Sequence, residues 1–324
     1  MKQQGSLISR WFSHLIALDV YILAIMGAYS MLALMFMRWI PQTFEIIATD
    51  IVFAIVTLIV ANTIKAHHSY GWQVFRRMYV VPMIYPMYNH TQFMVPRLNW
   101  HLYDYQLIQI DRFIFGTNPT HLVNMIANPY LTEYLQLCYV LFYIMFLIHT
   151  AEIVSTKQRA KLVTFGRMIV FSFLLSYVAY FAFPAIGPRF TLHNFFTTES
   201  DLPGVLITPQ LRQFVNVGGG IISSAFNPAD IVNRDCMPSG HTMLTLINIV
   251  LAWRYRSKMK WLFTVLGVSL IFATIYLRYH YVIDVLAGIA CALLMFKLEP
   301  IVYNYLLKRK LIISDSWLEQ DSHT

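Results

Sequence analysis

The chain has 324 residues, of which 57% are hydrophobic and 12% charged, with a formal net charge of +8. Soluble domains carry roughly 25% charged residues, so a water-soluble globular fold is a poor fit and lipid is the expected solvent for much of the chain. The positive charge does not point to nucleic acid, because the lysines and arginines gather beside apolar stretches, as membrane-flanking residues do.

The first apolar stretch, His14 to Met37, exceeds the roughly 7 to 15 residues of a signal-peptide core and reads as a retained span. About 20 apolar residues cross a hydrocarbon layer about 30 Å thick. On that measure further spans are expected at Glu45 to Ile64, Leu131 to Thr150, Thr164 to Phe183, His241 to Trp253, Trp261 to Leu277 and Tyr281 to Leu298. An additional window, Met78 to Val95, is interrupted by Asn89, His90, Thr91 and Gln92. Charge placement favours counting it. The basic clusters at Arg76 and Arg77, Lys157 to Lys161, Arg254 to Lys260 and Lys308 to Lys310 share one side only if this window crosses. The expectation is an all-α polytopic transmembrane helix bundle of about 8 spans, 7 of them clear. Both termini would be cytoplasmic, and the loops Pro96 to Tyr130 and Pro184 to Ser239 would lie on the extracytoplasmic (periplasmic or lumenal) face.

The first of these loops reads as surface helices, with Gly116 as a helix stop and Asn118-Pro119 and Asn128-Pro129 as breakers. Asp111 and Arg112 are expected to form a local pair. The stretch Ala185 to Met237, with its Gly218 to Gly220 run, is too long for a passive connection and is either a lid or partly disordered. Cys138, Cys236 and Cys291 show no C-x-x-C spacing, so neither a disulfide framework nor a zinc site is implied. His67 and His68 read as interfacial, whereas His90 could line a headgroup pocket or satisfy neighbouring helices. The polar tail from Ser314 to Thr324 is expected to be mobile.

Three segments carry chemistry. In Cys236-Met237-Pro238-Ser239-Gly240-His241-Thr242 a loop turns into a span. Ser239 can cap the helix, and its first-turn amides, with Gly240 beside them and the His241 ring close by, would meet an anion such as phosphate. In Tyr276 to Asp284, His280 and Asp284 are four apart and can hydrogen-bond if the segment is helical. A carboxylate on one ring nitrogen leaves the other as a lone-pair nucleophile. Arg278, His280 and Asp284 together are costly inside a membrane and so call for a reason, whether catalytic, structural or as part of a metal site. In Phe183 to Phe190, Arg189 sits between turn residues and an aromatic, where it could grip phosphate bidentately or snorkel to the interface. By the expected topology all three segments emerge on one face.

These residues resemble the type 2 phosphatidate phosphatase superfamily of membrane lipid phosphatases and phosphotransferases. Its second motif, Pro-Ser-Gly-His, stands as Pro238, Ser239, Gly240 and His241, and its third ends in His-x-x-x-Asp, here His280 and Asp284. The resemblance implies that His280 becomes phosphohistidine, Asp284 orients it and His241 protonates the leaving alcohol. It implies no metal and no cofactor. The Ser-Arg that opens the usual third motif is replaced by Ala273 and Thr274, and the Lys-x6-Arg-Pro first motif is missing. Gly187-Pro188-Arg189 is its nearest equivalent, and Arg278 is a candidate substitute for the missing third-motif arginine. Both departures look like the inositol phosphorylceramide synthase branch, as does the segment Ile110 to Pro119.

The implied division is a transmembrane hairpin at 1–75, a phosphatidate-phosphatase-like domain with a six-helix catalytic core at 76–300 and a cytoplasmic tail at 301–324. The implied partners are the membrane, a lipid phosphate or phospholipid and a lipid-alcohol acceptor. The activity would be phosphate removal or transfer of a phosphoinositol-type headgroup. A competing reading is an ion- or proton-coupled transporter built on Arg278, His280 and Asp284. That reading expects Asp284→Asn to abolish liposome flux in a protein that releases no phosphate, and paired flux and phosphate assays separate the two.

Overall fold

The computed structural model describes residues 11–64, 68–222 and 226–320, so His67 lies outside the described residues. The main helices are α1 (Ala17–Met35), α2 (Thr43–Thr63), α3 (Tyr70–Met78), α4 (Val81–Leu98), α5 (Asp104–Phe115) and α6 (Pro129–Val140). They continue as α7 (Phe142–Ser155), α8 (Arg159–Tyr180), α9 (Thr208–Gly218), α10 (Gly240–Arg254), α11 (Lys260–Tyr276) and α12 (Val282–Lys308). Short helical turns fill the loops, and there is no strand among the described residues.

Every window expected to span the membrane is occupied by a helix, so the protein is a multi-pass helical membrane protein. Four of these helices, α1, α2, α8 and α12, are long and apolar enough to cross on their own. The pair α6 and α7, bent by 53° at Leu141, makes up to 5. The remaining windows fall short for different reasons. Helix α10 has 15 residues and α11 has 17, which at about 1.5 Å per residue is less than a full hydrocarbon thickness. Helix α4 is broken up by polar residues and two prolines, Pro86 and Pro96.

The chain separates into two compact units. The first comprises Met1–Leu98, Thr150–Leu175 and Leu294–Thr324, and the second Asn99–His149 and Ser176–Leu293. This division interleaves the chain.

The first unit is held by buried ion pairs. Arg76 is 4% exposed and pairs with Asp19, which has no exposed surface and also accepts from Tyr79 Oη at 2.5 Å. Arg77 pairs with Asp315 and lies 3.8 Å above the ring centroid of Trp317. The segment around Asp315 and Trp317 is therefore packed, not mobile, although the chain beyond 320 lies outside the described residues. Arg167 Nε lies 3.1 Å from Glu299, which also accepts from Tyr21 Oη at 2.8 Å. His90 Nδ1 lies 3.3 Å from Asp50, whose other oxygen accepts from Ser30 at 2.8 Å. His90 is thus buried against Asp50 of α2, although neither His90 Nδ1 nor the Asp50 Oδ1 it faces makes a hydrogen bond.

Removing one partner of a buried ion pair leaves an uncompensated charge and costs about 3–5 kcal/mol. Asp19→Ala, which strands Arg76 and Tyr79, is expected to lower unfolding stability in detergent by that amount. Denaturation equal to the wild type would show that the pair contributes nothing.

Candidate active site

All three chemistry-bearing segments of the sequence lie within the second unit. Ser239 begins α10 as its N-cap: its Oγ accepts from Thr242 N at 3.3 Å and from Thr242 Oγ1 at 3.0 Å. The capped turn satisfies donors that a helix start otherwise leaves open. Ser239 N donates to the backbone oxygen of Asp284 at 3.1 Å, which joins the start of α10 to the first turn of α12. A little further on the two helices approach more closely still, because a Cβ on Gly288 would stand 2.6 Å from Ser239 O. No side chain fits there.

His280 and Asp284 do not share a helix face as expected. Helix α12 starts at Val282, so His280 precedes it and is anchored by its own backbone N–H on Thr274 O at 2.9 Å. Its Nδ1 nevertheless lies 3.5 Å from Asp284 Oδ2, at the outer edge of hydrogen-bond distance. Asp284 has no exposed surface, and its Oδ2 also accepts from Tyr281 N at 2.9 Å and from Cys236 Sγ at 2.8 Å. Burial and the neighbouring carboxylate push the Cys236 thiol well above its ordinary range, so it keeps its proton and acts as a donor. Cys236, His280 and Asp284 offer ligand atoms within 4.8 Å of one another, a set of types that a thiophilic divalent cation could also accept.

The His241 ring faces His280 with centroids 5.9 Å apart. It is held on its other sides by Tyr139, stacked at 4.5 Å, and Phe142, also at 4.5 Å. Tyr139 and Phe142 flank the bend at Leu141 and are three residues apart, the spacing that puts side chains on one helical face. Tyr139 in turn touches Tyr279 at 4.5 Å.

Helix α5 supplies two aspartates, seven residues apart and so on one face. Asp104 accepts from Gly187 N at 2.8 Å and Tyr281 Oη at 2.8 Å. Asp111 accepts from Val282 N at 2.9 Å and Ile283 N at 2.8 Å, capping α12 from outside. Burial pushes both carboxyls up, against the pull of their donors. Asp111 is thus a cap and not the partner of Arg112, whose Nε donates to Asn118 at 2.8 Å. Gly187 has φ +93, and a Cβ there would meet Tyr279 O at 2.7 Å, so the turn requires glycine.

The two expected arginines part company. Arg189 is 8% exposed, donates to Asn216 Oδ1 at 2.8 Å and lies 5.0 Å from the Tyr279 ring centroid. Its backbone N–H donates to Arg278 O at 3.0 Å, which ties its loop to the strand of chain leading to His280. The Arg278 side chain is engaged elsewhere: one terminal nitrogen donates to Asp201 at 2.8 Å and the other to Asn124 at 2.7 Å.

Arg212 joins Arg189 in a cavity of about 210 Å³, and no motif pointed to it. It is 5% exposed and pairs with Glu199 at 2.5 Å. The loop that carries these residues is anchored on α6 by Glu133, which accepts from Val205 N at 2.9 Å and Ile207 N at 2.7 Å. The described residues of this stretch form short helices around α9.

A family model described as the PAP2 superfamily matches residues 105–298. The phosphoinositol dihydroceramide synthase of Bacteroides thetaiotaomicron is similar to this chain, 28% identical over 142 residues, which cover 43% of this chain and 45% of that protein. The matched part thus spans under half of that relative's length. No solved structure matches.

Loss of an N-cap carboxylate costs about 0.5–2 kcal/mol. Asp111→Ala is expected to destabilise the protein in detergent by about that amount, the larger end applying because two amides lose their acceptor. An unshifted melting curve would mean that Asp111 does not hold α12.

Proposed function

The chain belongs to the PAP2 superfamily, and from that membership we propose that it is a membrane phosphotransferase or phosphatase acting on phospholipids through a phosphohistidine at His280. The observation that carries the reading is the pair of imidazoles 5.9 Å apart, with Asp284 behind one of them, inside the matched residues.

In this reading His280 Nδ1–H donates to Asp284 and Nε2 attacks phosphorus. A distance of 3.5 Å suits a hydrogen bond that tightens when substrate binds. As the N–P bond forms, the bond from phosphorus to the lipid alcohol breaks, and His241 gives that oxygen a proton. His241, now neutral, takes a proton from water or from a lipid-alcohol acceptor, whose oxygen attacks phosphorus and frees His280. Splitting the displacement in this way replaces one difficult step by two easier ones. Arg189 and the first-turn amides of α10, including those beside Gly240, stabilise the phosphoryl oxygens. Attack by water gives a phosphatase; attack by a lipid alcohol on a phosphoinositol-bearing phosphorus gives headgroup transfer. The name of the Bacteroides relative favours the second.

We place this centre on the extracytoplasmic face, with both termini cytoplasmic, on the distribution of basic residues. The transport alternative loses support from the Arg278 side chain, which is taken up by Asp201 and Asn124.

Incubation of the purified protein with radiophosphorus-labelled phosphatidylinositol is expected to leave acid-labile, base-stable label on His280. His241→Ala should lower kcat about 10²–10⁴-fold, the usual contribution of a positioned proton donor. Full activity in His280→Ala would sink the mechanism.

A further inference from the structure

The stretch after Asp201 has a surface unlike that of a water-facing loop. Between Asp201 and Asp230 the sequence holds one charged residue, Arg212, and that residue is buried and turned inward to Glu199. What the stretch presents outward is apolar. Val205, Leu206 and Ile207 form a tip of consecutive exposed side chains, with Leu206 78% exposed. The tip runs into α9, which buries Thr208 and Arg212, four residues apart, on one face. Its opposite face carries Phe214 and Val217, 60% and 65% exposed. A run of exposed apolar residues of this kind is a liability in water unless something covers it.

The backbone of the tip is arranged for apolar surroundings. The N–H groups of Val205, Leu206, Ile207 and Thr208 all donate to the Glu133 carboxylate of α6, at 2.9, 3.2, 2.7 and 3.2 Å, and Thr208 Oγ1 donates to it as well. Consecutive amides are thus satisfied by the protein, with no demand on water. Irregular backbone at membrane depth has to meet that condition, because lipid offers an N–H no acceptor. A loop in water is under no such constraint.

The seat also lies at the right level. Glu133 is near the start of the expected span Leu131 to Thr150, and α6 with α7 is apolar and long enough to cross. On the same helix Tyr130, Tyr134 and Leu137 are exposed at the spacing of one helical face, with tyrosines where a headgroup layer would meet them. The tip therefore continues a lipid-facing surface.

We propose that the tip at 205–207 and the outer face of α9 are seated in the headgroup–acyl boundary of the bilayer, with Glu133 holding the tip's backbone donors. The inner side of α9 contributes Arg212 and Asn216 to the cavity that holds Arg189. One short helix then joins the lipid surface to that cavity. The proposal requires neither the phosphohistidine nor any particular headgroup.

The test is site-directed spin labelling of the full-length protein in phosphatidylcholine nanodiscs. Leu206→Cys and Phe214→Cys each receive a nitroxide, and the unmutated protein, in which Cys138 and Cys236 are buried, sets the background. At both positions collisions with molecular oxygen, which concentrates in lipid, should exceed collisions with a water-soluble nickel chelate several-fold. The two positions lie on separate elements, so a folding failure of one variant leaves the other to decide. Adding Glu133→Gln keeps the shape of the seat but removes its charge, and it should sharpen the nitroxide spectrum at position 206 as the tip loosens. Chelate access equal to or above oxygen access would put this surface in water and overturn the proposal. Dipolar broadening between nitroxides of two copies would overturn it too, by making the face a protein interface, and so would a spectrum that Glu133→Gln leaves unchanged.

Discussion

A carboxylate with no exposed surface is the constraint on which this site depends. Taking an ion out of water costs several kcal/mol unless donors replace its hydration, and Asp284 meets that demand at Oδ2, with three neighbours from two parts of the chain, while its Oδ1 makes no hydrogen bond. Tyr281 N comes from its own helix start, Cys236 Sγ from the loop before α10, and His280 from the turn between α11 and α12. Its backbone oxygen then accepts from Ser239. One residue therefore fixes the start of one helix against the start of another, with His241 in the first turn of α10 and His280 in the turn before α12 brought to the same place.

The aspartates of α5 repeat this logic at the next distance out. Asp104 holds the Gly187 turn and Tyr281, and Asp111 holds the start of α12. The Arg189 loop and the His280 turn are thus set by the same helix, and the position of Arg189 relative to His280 follows from backbone donors rather than from long side chains. The first unit uses charge differently. There Asp19 and Asp315 each take an arginine that hydropathy alone would place at the membrane surface, and Glu299 takes Arg167 from within an expected span.

Much of the fold was legible because apolar length reports directly on membrane crossing, and every expected span is a helix. The two histidines, Asp284 and the Ser239 cap were legible because motif spacing is local. What escaped was long-range. Arg77 reads as a flanking residue until its partner, 238 positions away, is known. Asp111 next to Arg112 looks like a pair, yet its acceptor role belongs to amides 171 and 172 positions on. The seven-residue interval from Asp104 to Asp111 was the available signal. Arg212 and Glu199 sit in a loop region held by Glu133 in α6, and nothing in that region's own sequence announces the anchor.

The contact at Gly288 sets how this centre can breathe. With Ser239 O 2.6 Å from where a methyl would stand, α10 and α12 touch through main chain, with no compressible side chain between them. The floor under the two imidazoles behaves as a rigid seam, while the roof, carried on loops and short helices, is the compliant part. Any rearrangement around this centre has then to come from the loops and short helices above the seam, so holding the imidazoles and giving way fall to separate pieces of the molecule.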